Sequence, residues 1–199
     1  MSAVTRQLFR CLHVDRHGYQ RATMSTNTSD KLEIIFGRRS IRVYEPGDVS
    51  DEVVTRLLQA AMAAPSAGAK DPWRFVVIRE RTTLKAIAAA LPFGEMLGTA
   101  AVGIVVCGEL EAAHDRQLSY LLQDCAAATE NLLLAVQAHD LGACWLGIHP
   151  REDRVKRLSE LLALPASVVP VSCIAIGHPG ETKEPRTRYH PARVHREKW

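Results

Sequence analysis

Between Gln117 and Ala138 the residues Leu118, Leu121, Leu122, Cys125, Ala126, Leu132, Leu133 and Val136 recur every three or four places. That spacing lines up side chains on one face of an α-helix. A helix over this segment spans about 30 Å, the width of a small domain, so the rest of the chain has to be built around it. Gly142 stands where such a helix can close. With 199 residues, 47% of them hydrophobic, the chain has the length and composition of one domain with a full core.

Helical and strand-like patterns alternate around this centre. Asp30 and Glu33 have the spacing of a capping box before "IIFG", predicting a short helix that ends at Gly37. Ser50 is placed to cap a helix whose apolar positions Val53, Val54, Leu57, Leu58, Ala61 and Met62 keep one face until Pro65. "RFVVI" (Arg74 to Ile78) reads as a strand, Thr82 or Thr83 starts a helix through Ala90, and "AAVGIVVC" (Ala100 to Cys107) reads as a buried strand. A strand at 143–146, a helix at 152–162 and a strand at 168–176 complete the pattern. Without repeats or an internal linker, residues 30–199 are expected to form a single domain. Alternation taken alone suggests a parallel sheet.

The first 29 residues carry four arginines, one acid and no sustained period, and read as a disordered leader. Met24 is a second candidate start, and an Arg-rich, acid-poor leader also has the composition of a transit peptide. Cys11, His13 and His17 on this segment lack a fourth ligand, so no metal is expected. The five cysteines are an odd number, and Cys107, Cys125, Cys144 and Cys173 lie in apolar runs. That is the usage of reduced thiols in a cytoplasmic protein. No stretch approaches the roughly 18 apolar residues of a membrane span. A net charge of +3 and a pI near 8.7, with charges interspersed, do not call for nucleic acid.

Two basic knots depart from this even spread: "GRRSIR" (Gly37 to Arg42) and "KEPRTRY" (Lys183 to Tyr189). Each alone fits a solvated run. If both close on one anion, Arg38, Arg39 and Ser40 with Arg186 and Arg188 offer the guanidinium forks and hydroxyl that satisfy a phosphate. The glycine-rich phosphate cradles of dinucleotide and P-loop sites are absent. Between the knots, "APSAGAKDPW" (Ala64 to Trp73) combines small residues and prolines into an ordered loop that can approach a flat ring closely.

From Asp30 to Trp199 the chain resembles the FMN-dependent nitroreductases. The motifs that carry the resemblance come in order: "RRSIRVY", "APSAGAKDPW", "LQDCAAATENLLLA", "LGACWLGIHP" and "EPRTRY". The resemblance implies an α+β fold, a three-layer α/β/α sandwich with a mostly antiparallel central sheet, in place of the parallel one. It also implies a homodimer with FMN at the interface and NADH or NADPH as electron donor. Under it, Arg38, Arg39 and Ser40 bind the ribityl chain and phosphate, and Arg186 and Arg188 close on the phosphate from the tail. Arg42 then stands near flavin N1 and O2, where a fixed cation raises the reduction potential. Pro65, Ser66, Ala67 and Gly68 match the loop that reaches the ring from the second subunit, and Trp145, Leu146 and Gly147 match the segment along the isoalloxazine. The chain departs from the family loop at Ala69 and Asp71, where Asn and Gln are usual.

The function implied is ping-pong hydride transfer from NAD(P)H through flavin N5 to a nitroaromatic, quinone or enone, with no protein acid or base. The alternatives are a flavin-binding protein without turnover, or a flavin-cleaving or dehalogenating member of the family. Several residues have plainer readings. Trp73 and Trp145 read as core anchors and Trp199 as a core or dimer plug. His149, His178 and His190 each precede Pro and mark turns. Asp124, Thr129 and Glu130 on the long helix are candidates to line a pocket, with a wet helix face as the plainer reading. Ser66 lacks the elbow of a hydrolase nucleophile.

Overall fold

The computed structural model describes residues 32–199. Along them run α1 (Glu33–Gly37), β1 (Tyr44–Glu45), α2 (Asp51–Met62), β2 (Trp73–Ile78), α3 (Arg81–Ala90), β3 (Val102–Glu109), α4 (Leu118–Ala138), β4 (Gly142–Gly147), α5 (Glu152–Leu161) and β5 (Val168–Pro179). The leader, the Asp30 cap and the Cys11, His13 and His17 group lie outside the described residues. No helix described is long and apolar enough to cross a membrane.

The long strand β5 organises the sheet by pairing with β3, β4 and, at its end, β1, while β2 pairs with the far side of β3. Each of these pairings is antiparallel. Alternation misleads here because Ile78 pairs with Gly103: the α3 connection leaves and re-enters at the same end of the sheet. A parallel pair would need it to cross to the other end.

Strand side chains alternate between two cores. Ile104, Val106, Ile174 and Ile176 face α2 and α4 with Leu57, Leu121 and Leu132. Val105, Cys107, Cys173 and Ala175 face α3 and α5 with Leu84, Ile87 and Leu158. The result is a three-layer α/β/α sandwich. The periodic helix α4 lies so close to β3 that a Cβ on Gly108 would sit 2.4 Å from Leu121 Cδ2. From α4 the buried Thr129 hydroxyl donates to Cys125 O at 2.7 Å and lies 3.2 Å from Ser172 Oγ of β5.

Helix ends show where local chemistry differs from the sequence expectation. Ser50 caps α2 as expected, its hydroxyl accepting from Val53 N at 3.3 Å. At α3 the cap is Glu80, which accepts from both the amide and the hydroxyl of Thr82, so the threonines sit inside the first turn rather than at its start. Gly142 does not close α4. Asp140 takes the left-handed conformation there (φ +56°), with Leu141 N bonding Val136 O and Asp140 N bonding Gln137 O at 3.1 Å each. This is a Schellman closure without glycine. Gly142 instead begins β4, where a Cβ would meet Ile41 Cγ2 at 2.8 Å. His178 belongs to β5 rather than to a turn, with Nε2 3.0 Å from Asp48 O.

Candidate functional site

The first basic knot is laid alongside β4. Ser40 forms a parallel bridge with Ala143, and Ile41 N donates to Ala143 O at 2.9 Å. The buried Tyr44 hydroxyl fixes this segment from below, 2.9 Å from Ile41 O and 3.0 Å from Ala175 O, and burial raises its pKa far above the usual phenol value. The start of the tail holds it from the side. Glu181 Oε1 accepts from Arg42 N at 2.6 Å, while Lys183 Nζ donates to Ser40 O.

The tail brings the second knot to the first. Arg39 Nη2 donates to Phe36 O at 3.0 Å and to Arg186 O at 3.2 Å. Arg39 Nε is buried without a partner among the described residues. Burial, and then the charges of Arg38, Arg186 and Arg188, lower the pKa of Arg39. Four guanidinium groups thus crowd one place, and among the described residues the one carboxylate paired there is Glu130, 3.4 Å from Arg38 Nε and half-exposed. Such a pair contributes little. The crowding favours binding an anion, which relieves the repulsion and can satisfy Arg39 Nε.

One residue past Ile41, Arg42 lines a cleft of about 600 Å³ with Phe93, Met96, Trp145, Leu146 and Gly147 among its walls. The bridge between Ser40 and Ala143 makes the arginine cluster and this cleft neighbours. A Cβ on Gly147 would meet nothing within 4 Å, so the backbone there faces open space. Trp145 is 38% exposed, which corrects its reading as a core anchor, whereas Trp73 is a buried anchor as expected. Cys144 also lines the cleft, but burial raises its pKa, and burial pushes Cys107, Cys125 and Cys173 up to about 12. Among the described residues, no thiolate nucleophile is available near neutral pH.

Pro65, Ser66, Ala67 and Gly68 lie elsewhere in the chain, against α4, and none of them lines the cleft. Their loop is closed by Ser66 and Asp71: Ser66 Oγ donates to Asp71 Oδ1 at 2.5 Å and accepts from Asp71 N at 3.0 Å. Asp71 therefore has a structural use in place of the family's Gln. Ala69 holds a left-handed backbone (φ +51°), which suits Asn better.

Asp124 is a residue whose plainer sequence reading, a wet helix face, the structure corrects. It is 4% exposed and accepts from Ala67 N at 2.9 Å through Oδ1, while Oδ2 has no partner among the described residues. Its signal was present, since Asp124 falls on the Leu121, Cys125 and Ala128 face and a carboxylate on a buried stripe must hold a donor. Thr129 is likewise buried, so the wet-face reading fails for these two, while Glu130 stays half-exposed beside Arg38. Trp199 is fully exposed in this chain and stacks on His195, with ring centroids 4.1 Å apart; it is no core plug.

Comparison with known proteins shows the family of the chain. Residues 35–93 and 84–178 match the model of the nitroreductase family. A protein of Archaeoglobus fulgidus with the inferred name NADH dehydrogenase/NAD(P)H nitroreductase is 46% identical over 171 residues, 84% of this chain and 98% of the relative. A crystal structure from Parabacteroides distasonis with the same inferred name superposes with a TM-score of 0.80 at 35% identity, covering 84% of this chain and 98% of the other. A Desulfovibrio desulfuricans protein described by inference as a nitroreductase, solved in complex with FMN, superposes with a TM-score of 0.74 at 35% identity, covering 84% and 96%. By sequence and by fold, this chain belongs to the nitroreductase family.

Proposed function

We propose that the chain is an FMN-dependent NAD(P)H oxidoreductase that passes hydride to a nitroaromatic, quinone or enone by a ping-pong route. The observation that carries this reading is the junction at Ser40 and Ala143, which sets four guanidinium groups beside a cleft floored by the backbone of Trp145 to Gly147. The residues present fit the cofactor. Arg38, Arg39, Arg186 and Arg188 would hold its phosphate, with Ser40 on the ribityl chain, and the open face at Leu146 and Gly147 would take the ring. The FMN bound by the Desulfovibrio relative supports the assignment.

FMN bound there would supply the two-electron hydride chemistry. The chain does the rest. Arg42 keeps a positive charge in the cleft, favouring a reduced, more anionic ring and so raising the reduction potential. Lys183, Glu181 and Tyr44 hold the backbone that carries Arg42. No side chain is needed as acid or base. The Pro65 to Gly68 loop would complete the site of a second copy of the chain, which is why it can stand apart from the cleft within one copy. The buried free thiols suit a reducing, cytoplasmic setting.

The test is direct: purify the protein, record its absorbance with and without added FMN, and follow bleaching by NADPH and by NADH without oxygen. A flavin spectrum that either donor bleaches is expected. Colour without bleaching would leave a flavin carrier without turnover, and no uptake of FMN would refute the reading.

A further inference from the structure

Three residues around the cleft occupy states that the fold does not require. Phe93 is 79% exposed and has φ +60°, an outlying conformation for a bulky residue. Trp145 stands exposed between the buried Cys144 and Leu146. Arg154 sits in the first turn of α5, where a cation opposes the helix dipole. Its guanidinium donates to Gly147 O at 2.9 Å, which aims it at the cleft wall. Among the described residues, no carboxylate lies within ion-pair distance of the guanidinium of Arg154 or of Arg42. Glu95 is the one acid in the cleft lining, against these two arginines. Locally unfavourable choices that converge on one place mark a site.

We propose that this part of the cleft is the acceptor subsite and that it selects planar aromatic molecules bearing a carboxylate, with Arg154 as the residue that reads the carboxylate. The inference rests on the flavin reading above, in which Arg42 serves the ring and Arg154 has no assigned role. A guanidinium has five N–H donors in a planar fork, and the bond to Gly147 O uses one of them. Those remaining match the two oxygens of a carboxylate. The bond to Gly147 also fixes the fork, lowering the entropy lost when a ligand binds. Phe93 and Trp145 present aromatic surface against which a flat ring can lie.

The test uses two probes of matched shape, 4-nitrobenzoate and the neutral 4-nitrobenzyl alcohol, on the FMN-loaded protein at fixed ionic strength. Dissociation constants are read from perturbation of the oxidised flavin spectrum, without reductant. The parent is expected to bind the benzoate about 10-fold more tightly than the alcohol, as one charge-assisted contact implies. Arg154→Gln, which keeps a donor for Gly147 O but no charge, should bring that ratio to about one, and Arg154→Lys should retain part of it. The ratio of kcat/KM for the two probes should follow the same order. The step counted is reduction of the nitro group by NADPH and a proton to the nitroso compound, with release of water and NADP+. Equal affinities in the parent, or a preference that survives Arg154→Gln, would overturn the inference while leaving an NADPH-bleached flavin intact. A protein that takes up no FMN would overturn this inference and the flavin reading together, and its colour distinguishes that case.

Discussion

Lys183 Nζ donates to Ser40 O at 2.6 Å, across 143 positions of sequence, and to Glu181 Oε1 at 2.8 Å. The lysine of the basic tail is therefore a clamp between the two knots, with its charge already matched. Its partner has a testable pH dependence. The hydrogen bond from Lys183, and next that from Arg42 N, hold the Glu181 carboxyl below its ordinary value of 4.5. A depressed pKa stabilises the fold above the unfolded value and loses that contribution as pH falls through the folded one. Melting temperatures of the parent and Glu181→Gln should differ most near neutral pH and converge steadily below about pH 4.5. A constant difference across that range would show that the charge is immaterial.

Asp124 offers a cleaner stability test because its two oxygens are used unequally. Asp124→Ala leaves Ala67 N without its acceptor, a loss of about 1–3 kcal/mol. In a domain of this size each kcal/mol lowers the melting temperature by about 2–4 °C. Asp124→Asn keeps an acceptor for Ala67 and removes a buried charge whose Oδ2 has no partner among the described residues. It should be at least as stable as the parent in urea unfolding. Equal stability of the Ala and Asn variants would show that the contact with the loop carries no weight.

Which parts of this architecture could be read from the residues follows from the range of the interactions. The α4 stripe and the Ser50 cap are local patterns, and both appear where the spacing put them. Strand direction is not local: nothing in residues 79–101 says that the chain returns to the end of the sheet it left. The family resemblance, not the periodicity, supplied the antiparallel sheet. At the site, the motifs pointed to the arginines, while Lys183, Tyr44 and Glu181 stayed hidden because their roles depend on partners far along the chain. Arg154 and Phe93 had no motif at all, since what marks them is strain and missing partners. Those exist only in three dimensions.

Ala69 departs from the family pattern and carries a cost that can be measured. Its φ of +51° is a left-handed conformation in which a Cβ crowds the following carbonyl. Ala69→Gly should gain about 0.5–1 kcal/mol, the relief of strain being partly offset by the greater freedom of glycine in the unfolded chain. Ala69→Asn, the usual family residue, tolerates the conformation without that offset and should do as well or better. Denaturant midpoints at equal slope are the measurement. A loss of stability in both variants would mean that the methyl group packs in a way that outweighs the backbone.

The arginine cluster gives the sharpest separation between a site and a solvated tail. Arg186 and Arg188 are exposed, and Arg186 meets the first knot through its carbonyl, bonded by Arg39 at 3.2 Å. Replacing the side chain of Arg186 or of Arg188 by Ala leaves that backbone bond possible, so thermal stability of the flavin-free protein should hardly move. Binding of FMN should weaken by about 10-fold or more in each, the loss of one charge-assisted contact to the phosphate. Riboflavin, which has the ring but no phosphate, should bind the variants as it binds the parent. Arg42→Ala should instead lower the reduction potential of bound FMN, because its charge faces the cleft rather than the cluster. Raising the salt concentration should narrow the gap between FMN and riboflavin in the parent more than in either tail variant, since one fewer exposed charge remains to be screened. A tail that is only solvated makes the opposite forecast: both flavins titrate identically into the parent, Arg186→Ala and Arg188→Ala at every salt concentration.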